Sequence, residues 1–277
     1  MAFTAQEQLA NVPLVGRETA RLMQTWSQWP ASYWSRPAYC PGWTASDAVA
    51  HLATGGAFYA QVIRSGQSGT PQFPWGVTSA AGFREARQAE VTKLLEGGPE
   101  ALVAGFAQGG AALQTVLESL TEADLVKMAQ HPRGLVPIGA WIGMRLLEMT
   151  VHDWDIRQPH ETPALLAPSA VPALLGIIPE MQLQFLQQRP HQGLDGVYAL
   201  HAGEEAAWGF TVHGAQVTYH SSAPSSGDTT LRTDAASMLL LTVGRADVAD
   251  KLQHGALTIT GDHAKGQQLC ATLFRAF

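Results

Sequence analysis

Cysteine is nearly absent from this 277-residue chain, which holds two, Cys40 and Cys270. So few thiols exclude a disulfide-stapled scaffold, and both are expected to be reduced. Charge is also scarce: 14% of residues are charged, and 17 basic side chains face 23 acidic ones. With no basic excess to neutralise a phosphate backbone, nucleic acid is excluded as the expected partner. Long apolar runs are missing. The most apolar stretch, VPALLGIIP at 171–179, falls far short of the ~20 residues that a bilayer requires. The N-terminal MAFTAQEQLA has neither the basic nor the apolar segment of an export signal, so a soluble cytoplasmic protein is expected. What remains is 46% hydrophobic, enough at this length for a sizeable core and two domains.

The pattern is helical up to about residue 160. Thr4 with Glu7 forms a capping box, and Leu9, Val12, Val15, Leu22 and Trp26 recur at helical spacing despite Pro13. Thr44 and Asp47 cap a second helix that runs to about Arg64, followed by a Gly/Pro/Ser-rich loop from Ser65 to Gly76. Further helices are expected over Ala80–Leu95, Pro99–Leu120 and Pro137–Pro159. His160 to Pro168, with its prolines, reads as a linker. Beyond it one helix, about Ser169 to Gln188, precedes alternating segments at 196–201, 207–212 and 216–220 that read as a meander. A strand at 229–233, a helix capped by Asp234, a strand at 257–260 and a helix capped by Asp262 complete an α+β half.

The fifth helix of the first half carries the chemistry. Glu148 and His152 are four residues apart and share a face with Trp141, Arg145 and Asp155. By spacing alone they are an ordinary Glu/His pair. His51, alone within the small, apolar run VAHLATGGAFYA, changes that reading. On a neighbouring helix it would complete a three-ligand site of the open, catalytic type. Two imidazoles and a carboxylate suit zinc, and Fe(II), Ni(II) or Co(II) fit the same donors. Asp47, one turn before His51, either orients that imidazole or serves its helix cap. Neither cysteine stands at ligand spacing in these segments, and neither is expected to face the triad.

GWTASDAVAHL at 42–52 and MRLLEMTVHDWDIRQ at 144–158 resemble the two signature stretches of the mycothiol-dependent maleylpyruvate isomerase family, a branch of the DinB-like four-helix metalloproteins. The resemblance implies a metal on His51, Glu148 and His152. The segment at 242–263 resembles the family's sterol-carrier-like second domain. The expected fold is therefore α plus α+β: a DinB-like four-helix bundle over 1–162, then a smaller α+β domain over 163–277. By the same resemblance Arg87 and Arg245 would clamp substrate carboxylates, with Arg84, one turn from Arg87, able to do the same work. Guanidinium suits that task because it grips a carboxylate bidentately and stays charged.

The expected activity is thiol-dependent isomerisation of a maleylpyruvate-type cis-dicarboxylate, by thiolate addition, bond rotation and elimination. The thiol would be mycothiol, with bacillithiol, glutathione or ergothioneine as alternatives, and it would come from a cofactor rather than from a cysteine of the chain. A second reading is a thiol S-transferase acting on an electrophile at the same site. A third is a metal-free carrier of a small ligand.

Overall fold

The structure, a computed structural model, describes residues 4–189 and 193–274. It divides into two compact units, one of Thr4–Leu166 and one from Ala167 onward. No helix among the described residues is long and apolar enough to cross a membrane.

The first unit contains α1 (Ala5–Ala10), α2 (Val12–Ser27), α3 (Ala45–Gln67), α4 (Ala80–Glu96), α5 (Gly98–Glu118), α6 (Glu122–Leu125), a hairpin of β1 (Met128–His131) and β2 (Gly134–Pro137), and α7 (Ile138–Arg157). The expected first helix is two, because Pro13 has no N–H to continue the ladder and instead sits in the opening turn of α2. The β1–β2 hairpin and α6 went unread in the sequence, since a pair of four-residue strands leaves almost no period to detect. Of the five long helices, α3 and α5 pack together most extensively. A methyl on Gly56 would lie 2.9 Å from the Gly109 carbonyl carbon, so both positions need glycine for the backbones to meet. Trp26, Phe106, Leu22, Leu52 and Trp141 fill the core at 1% exposure or less. The 160–166 segment is not loose: Trp154 Nε1 donates to the Ala164 carbonyl (3.0 Å) and Arg157 Nη2 to that of Leu165 (2.7 Å).

The second unit contains α8 (Val171–Leu175), α9 (Ile178–Gln188), β3 (Gly196–Ala202), β4 (Ala206–His213), β5 (Gln216–His220), β6 (Thr229–Thr233), α10 (Ala235–Thr242), α11 (Val248–Gln253), β7 (Leu257–Gly261) and α12 (His263–Leu273). The expected 169–188 helix divides at Gly176, ahead of Pro179 in the first turn of α9. The strands form one sheet in the order β5-β4-β3-β6-β7, antiparallel except for the β3–β6 pair. Tyr198, Leu200, Phe210 and Leu231 are fully buried on it. The buried Gln182 amide is satisfied on both sides, accepting from Trp208 Nε1 and donating to Thr242 Oγ1, each at 3.0 Å. Asp234 and Asp262 cap α10 and α12 as expected.

Candidate metal centre

The site lies within the first unit and is built by α3, α4, α7 and the loop before α3. Thr44 starts α3 with a complete capping box, its N–H and hydroxyl both donating to Asp47 Oδ2 at 2.8 and 2.6 Å. Asp47 therefore serves the cap and does not orient His51. Two turns of helix then present His51 to the face of α7 that carries Glu148 and His152. The two imidazole rings meet edge to face with centroids 4.8 Å apart, and His51 Nε2 lies 4.0 Å from Glu148 Oε1. That is slightly wider than the roughly 3.4 Å between two donors bound to one zinc at ~2.1 Å each. Trp43 closes over both rings, stacked on His152 at 5.6 Å and tilted against His51 at 5.1 Å.

The chemistry of the donors fits a divalent metal. Burial above all, then the neighbouring Arg87, holds His51 well below its ordinary pKa, so it is a neutral imidazole with a lone pair to offer. The fully buried Asp155 sets the tautomer of His152, its Oδ2 lying 2.8 Å from Nδ1. An ionised carboxylate only accepts, so the ring proton belongs on Nδ1 and Nε2 keeps its lone pair. Glu148 offers Oε1, the oxygen that faces His51 Nε2.

Cys40 departs from expectation. The Tyr39 N–H donates to the Asp155 carbonyl at 2.7 Å, and the Trp43 N–H donates back to the Cys40 carbonyl at 3.0 Å. This turn, at Cys40-Pro41-Gly42, folds the loop onto α7 and brings Cys40 Sγ to 3.2 Å from Asp155 Oδ2. A sulfur, a ring nitrogen and a carboxylate oxygen of Cys40, His152 and Asp155 then lie within 4.8 Å of one another. They form a second donor set that shares His152. The sequence reading missed it because Cys40 precedes the motif in a turn, where periodicity says nothing about direction.

Cys270 differs. It is 1% exposed on α12, and burial pushes its thiol up to about 12. The two form no disulfide. Native protein titrated with a chromogenic disulfide is expected to yield one reactive thiol per chain, identified as Cys40 by mass spectrometry, and two after denaturation. Equal reaction of both under native conditions would contradict the burial of Cys270.

The structure separates the candidate arginines. Arg87 on α4 reaches the site: its Nη2 lies 3.4 Å from each ring nitrogen of His51 and donates to the His51 carbonyl at 3.2 Å. Arg84 is exposed. Arg245 belongs to the second unit, in a turn after α10 where Gly244 takes φ +67° and the Arg245 N–H donates to the Leu240 carbonyl at 2.7 Å. Arg145, on α7 beside Glu148, was noted in the sequence only as a member of the stripe, and here it is fully buried.

Residues 15–157 match the model of the mycothiol maleylpyruvate isomerase N-terminal domain, and residues 186–274 that of the SCP-2 sterol transfer family. Among solved structures, the chain is similar to a mycothiol-dependent maleylpyruvate isomerase at 16% identity, with 93% of each chain covered and a TM-score of 0.62. A histidine-to-alanine mutant of a mycothiol-dependent maleylpyruvate isomerase is matched at 17% identity with the same coverage and TM-score. At such identity the likeness is one of fold. No curated protein matches the chain. The domain match spans more than half of the sequence and takes in every residue of the centre described above, and on that ground the chain belongs to the mycothiol maleylpyruvate isomerase family.

Proposed function

We propose that the protein is a metal- and thiol-dependent isomerase of maleylpyruvate-type cis-dicarboxylates. The observation that carries this reading is the meeting of His51, Glu148 and His152 beside the Arg87 guanidinium, inside the segment that matches the family. When bound, a divalent metal, zinc by its donors, and a small thiol together supply a thiolate at neutral pH, the nucleophile for addition, bond rotation and elimination.

The chain's own residues prepare that chemistry. Asp155 keeps the proton of His152 on Nδ1, leaving Nε2 with the lone pair that a metal needs. Trp43 shields both imidazoles, which limits competing water. Arg87 supplies a fixed positive charge next to the donors, where it can hold a substrate carboxylate. Arg245 is the proposed second guanidinium for the other carboxylate. Such an enzyme belongs with the reduced small-thiol pool, which places it in the cytoplasm. The family match of the C-terminal segment to sterol transfer proteins favours a second reading, that of a carrier. A carrier needs no metal at the first unit.

Metal-loaded protein should be assayed against maleylpyruvate with mycothiol, ergothioneine, bacillithiol and glutathione in turn. Isomerisation with one thiol and none without is the expected result. Thiol adducts of an electrophile without isomerisation would make the protein an S-transferase. Metal-free protein that binds only a lipophilic ligand would make it a carrier.

A further inference from the structure

Arg145 is a cation buried within the first unit. Its side chain is 0% exposed, and its Nε, Nη1 and Nη2 make no hydrogen bond among the described residues. A guanidinium does not escape burial by losing its proton, so a charge in this position requires an opposite charge close by. Around it stand the rings of Phe106 and Tyr59, 5.6 and 6.0 Å from the guanidinium carbon. Glu148 is the carboxylate that faces it, one turn along the same helix, with Oε2 3.8 Å from Nη1. Burial pulls the Arg145 pKa down and Glu148 pulls it up.

Glu148 faces both His51 and Arg145, and the buried Tyr59 hydroxyl interacts with it as well. Its Oε1 faces His51 Nε2 at 4.0 Å, and its Oε2 faces Arg145. Space for this arrangement comes from α3. A methyl on Gly55 would lie 3.0 Å from Arg145 Nη1, 3.5 Å from Glu148 Oε2 and 3.7 Å from Arg87 Nη2. A bare glycine therefore lets two guanidinium groups and the carboxylate gather at one point of the helix surface.

We infer that Arg145 is a positioning residue that holds Glu148 by Oε2 and reserves Oε1 for the metal. This rests on the metal reading above, but the pairing itself concerns only residues of the chain. Without Arg145, the carboxylate is free to rotate and to meet the metal in more than one way, and the ordering it now brings to the centre is lost.

The test measures zinc affinity by competition with a chromophoric chelator, alongside the melting temperature of metal-free protein, for Arg145→Met, Arg145→Lys and Glu148→Gln. Arg145→Met should bind zinc roughly 10–100-fold more weakly, the effect typical of losing an outer partner of a ligand. Its metal-free form is melted alongside as the check on folding, because Glu148 then lacks its counter-charge. Arg145→Lys, which keeps the charge and loses the planar fork, should fall between. Wild-type zinc affinity in Arg145→Met would overturn the assignment. Should that variant fail to fold, Glu148→Gln decides: deprived of its counter-charge, Arg145 should lower the melting temperature of the metal-free protein. Unchanged or raised stability in Glu148→Gln would overturn the pairing. If wild-type protein binds no zinc at all, the metal reading fails, and the Glu148→Gln melting temperature still tests the pair.

Discussion

His152→Ala protein, purified without chelator, is expected to carry no divalent metal, where wild type carries about one per chain. His152 is the residue on which the centre converges. Its ring packs edge to face on His51, lies under Trp43 and is fixed through Nδ1 by Asp155. Three protein donors are the minimum for an open catalytic site, so removing one costs more than the roughly 10–100-fold that follows loss of an outer partner. His51→Ala and Glu148→Ala should act likewise, and Glu148→Ala should also destabilise the metal-free chain by leaving the buried charge of Arg145 uncompensated. Elemental analysis of the purified variants checks this. Near-stoichiometric metal in His152→Ala would remove the centre from the enzyme.

Arg87→Ala should lower kcat/KM for a cis-dicarboxylate by roughly 10- to 150-fold, the equivalent of about 1.5–3 kcal/mol for a lost charge-assisted hydrogen bond. Metal content should hold, because Arg87 touches His51 but its guanidinium has no lone pair to offer a metal. Lysine should restore only part of the rate, since it lacks the bidentate fork. Arg84→Ala, on the exposed face of the same helix, is the matched control and should stay near wild type. Wild-type kinetics in Arg87→Ala, measured at saturating thiol, would move the carboxylate grip elsewhere and leave Arg245 as the leading guanidinium.

Much of this centre was legible because its information is periodic. Glu148 and His152 are one helical turn apart, an ordinary pair by spacing alone, and His51 in its apolar run together with the family resemblance singled out the three residues, whose rings and carboxylate lie near one another here. The caps at Thr44, Asp234 and Asp262 were legible for a similar reason, since a short polar side chain before an apolar run satisfies the orphan amides of a helix start. What escaped depends on chain direction in three dimensions. Cys40 sits in a turn whose path is set by the Tyr39 to Asp155 hydrogen bond, 116 residues away in sequence and invisible to any local pattern. Arg145 was visible as a member of a stripe, but its burial depends on how closely α3 lies against α7, which a glycine at position 55 permits and no periodicity announces. Pro13 and Gly176 broke helices that apolar spacing alone had joined.

His152 belongs both to the proposed set with His51 and Glu148 and to the cluster with Asp155 and Cys40. Zinc K-edge absorption of the loaded protein, recorded before and after adding the small thiol that supports turnover, separates them directly. The expected spectrum before addition contains nitrogen and oxygen ligands alone at about 2.0–2.2 Å, and addition brings in one sulfur at about 2.3 Å. A sulfur already present before addition, and lost in Cys40→Ser, would place the metal on Cys40 and contradict the assignment of His51, Glu148 and His152.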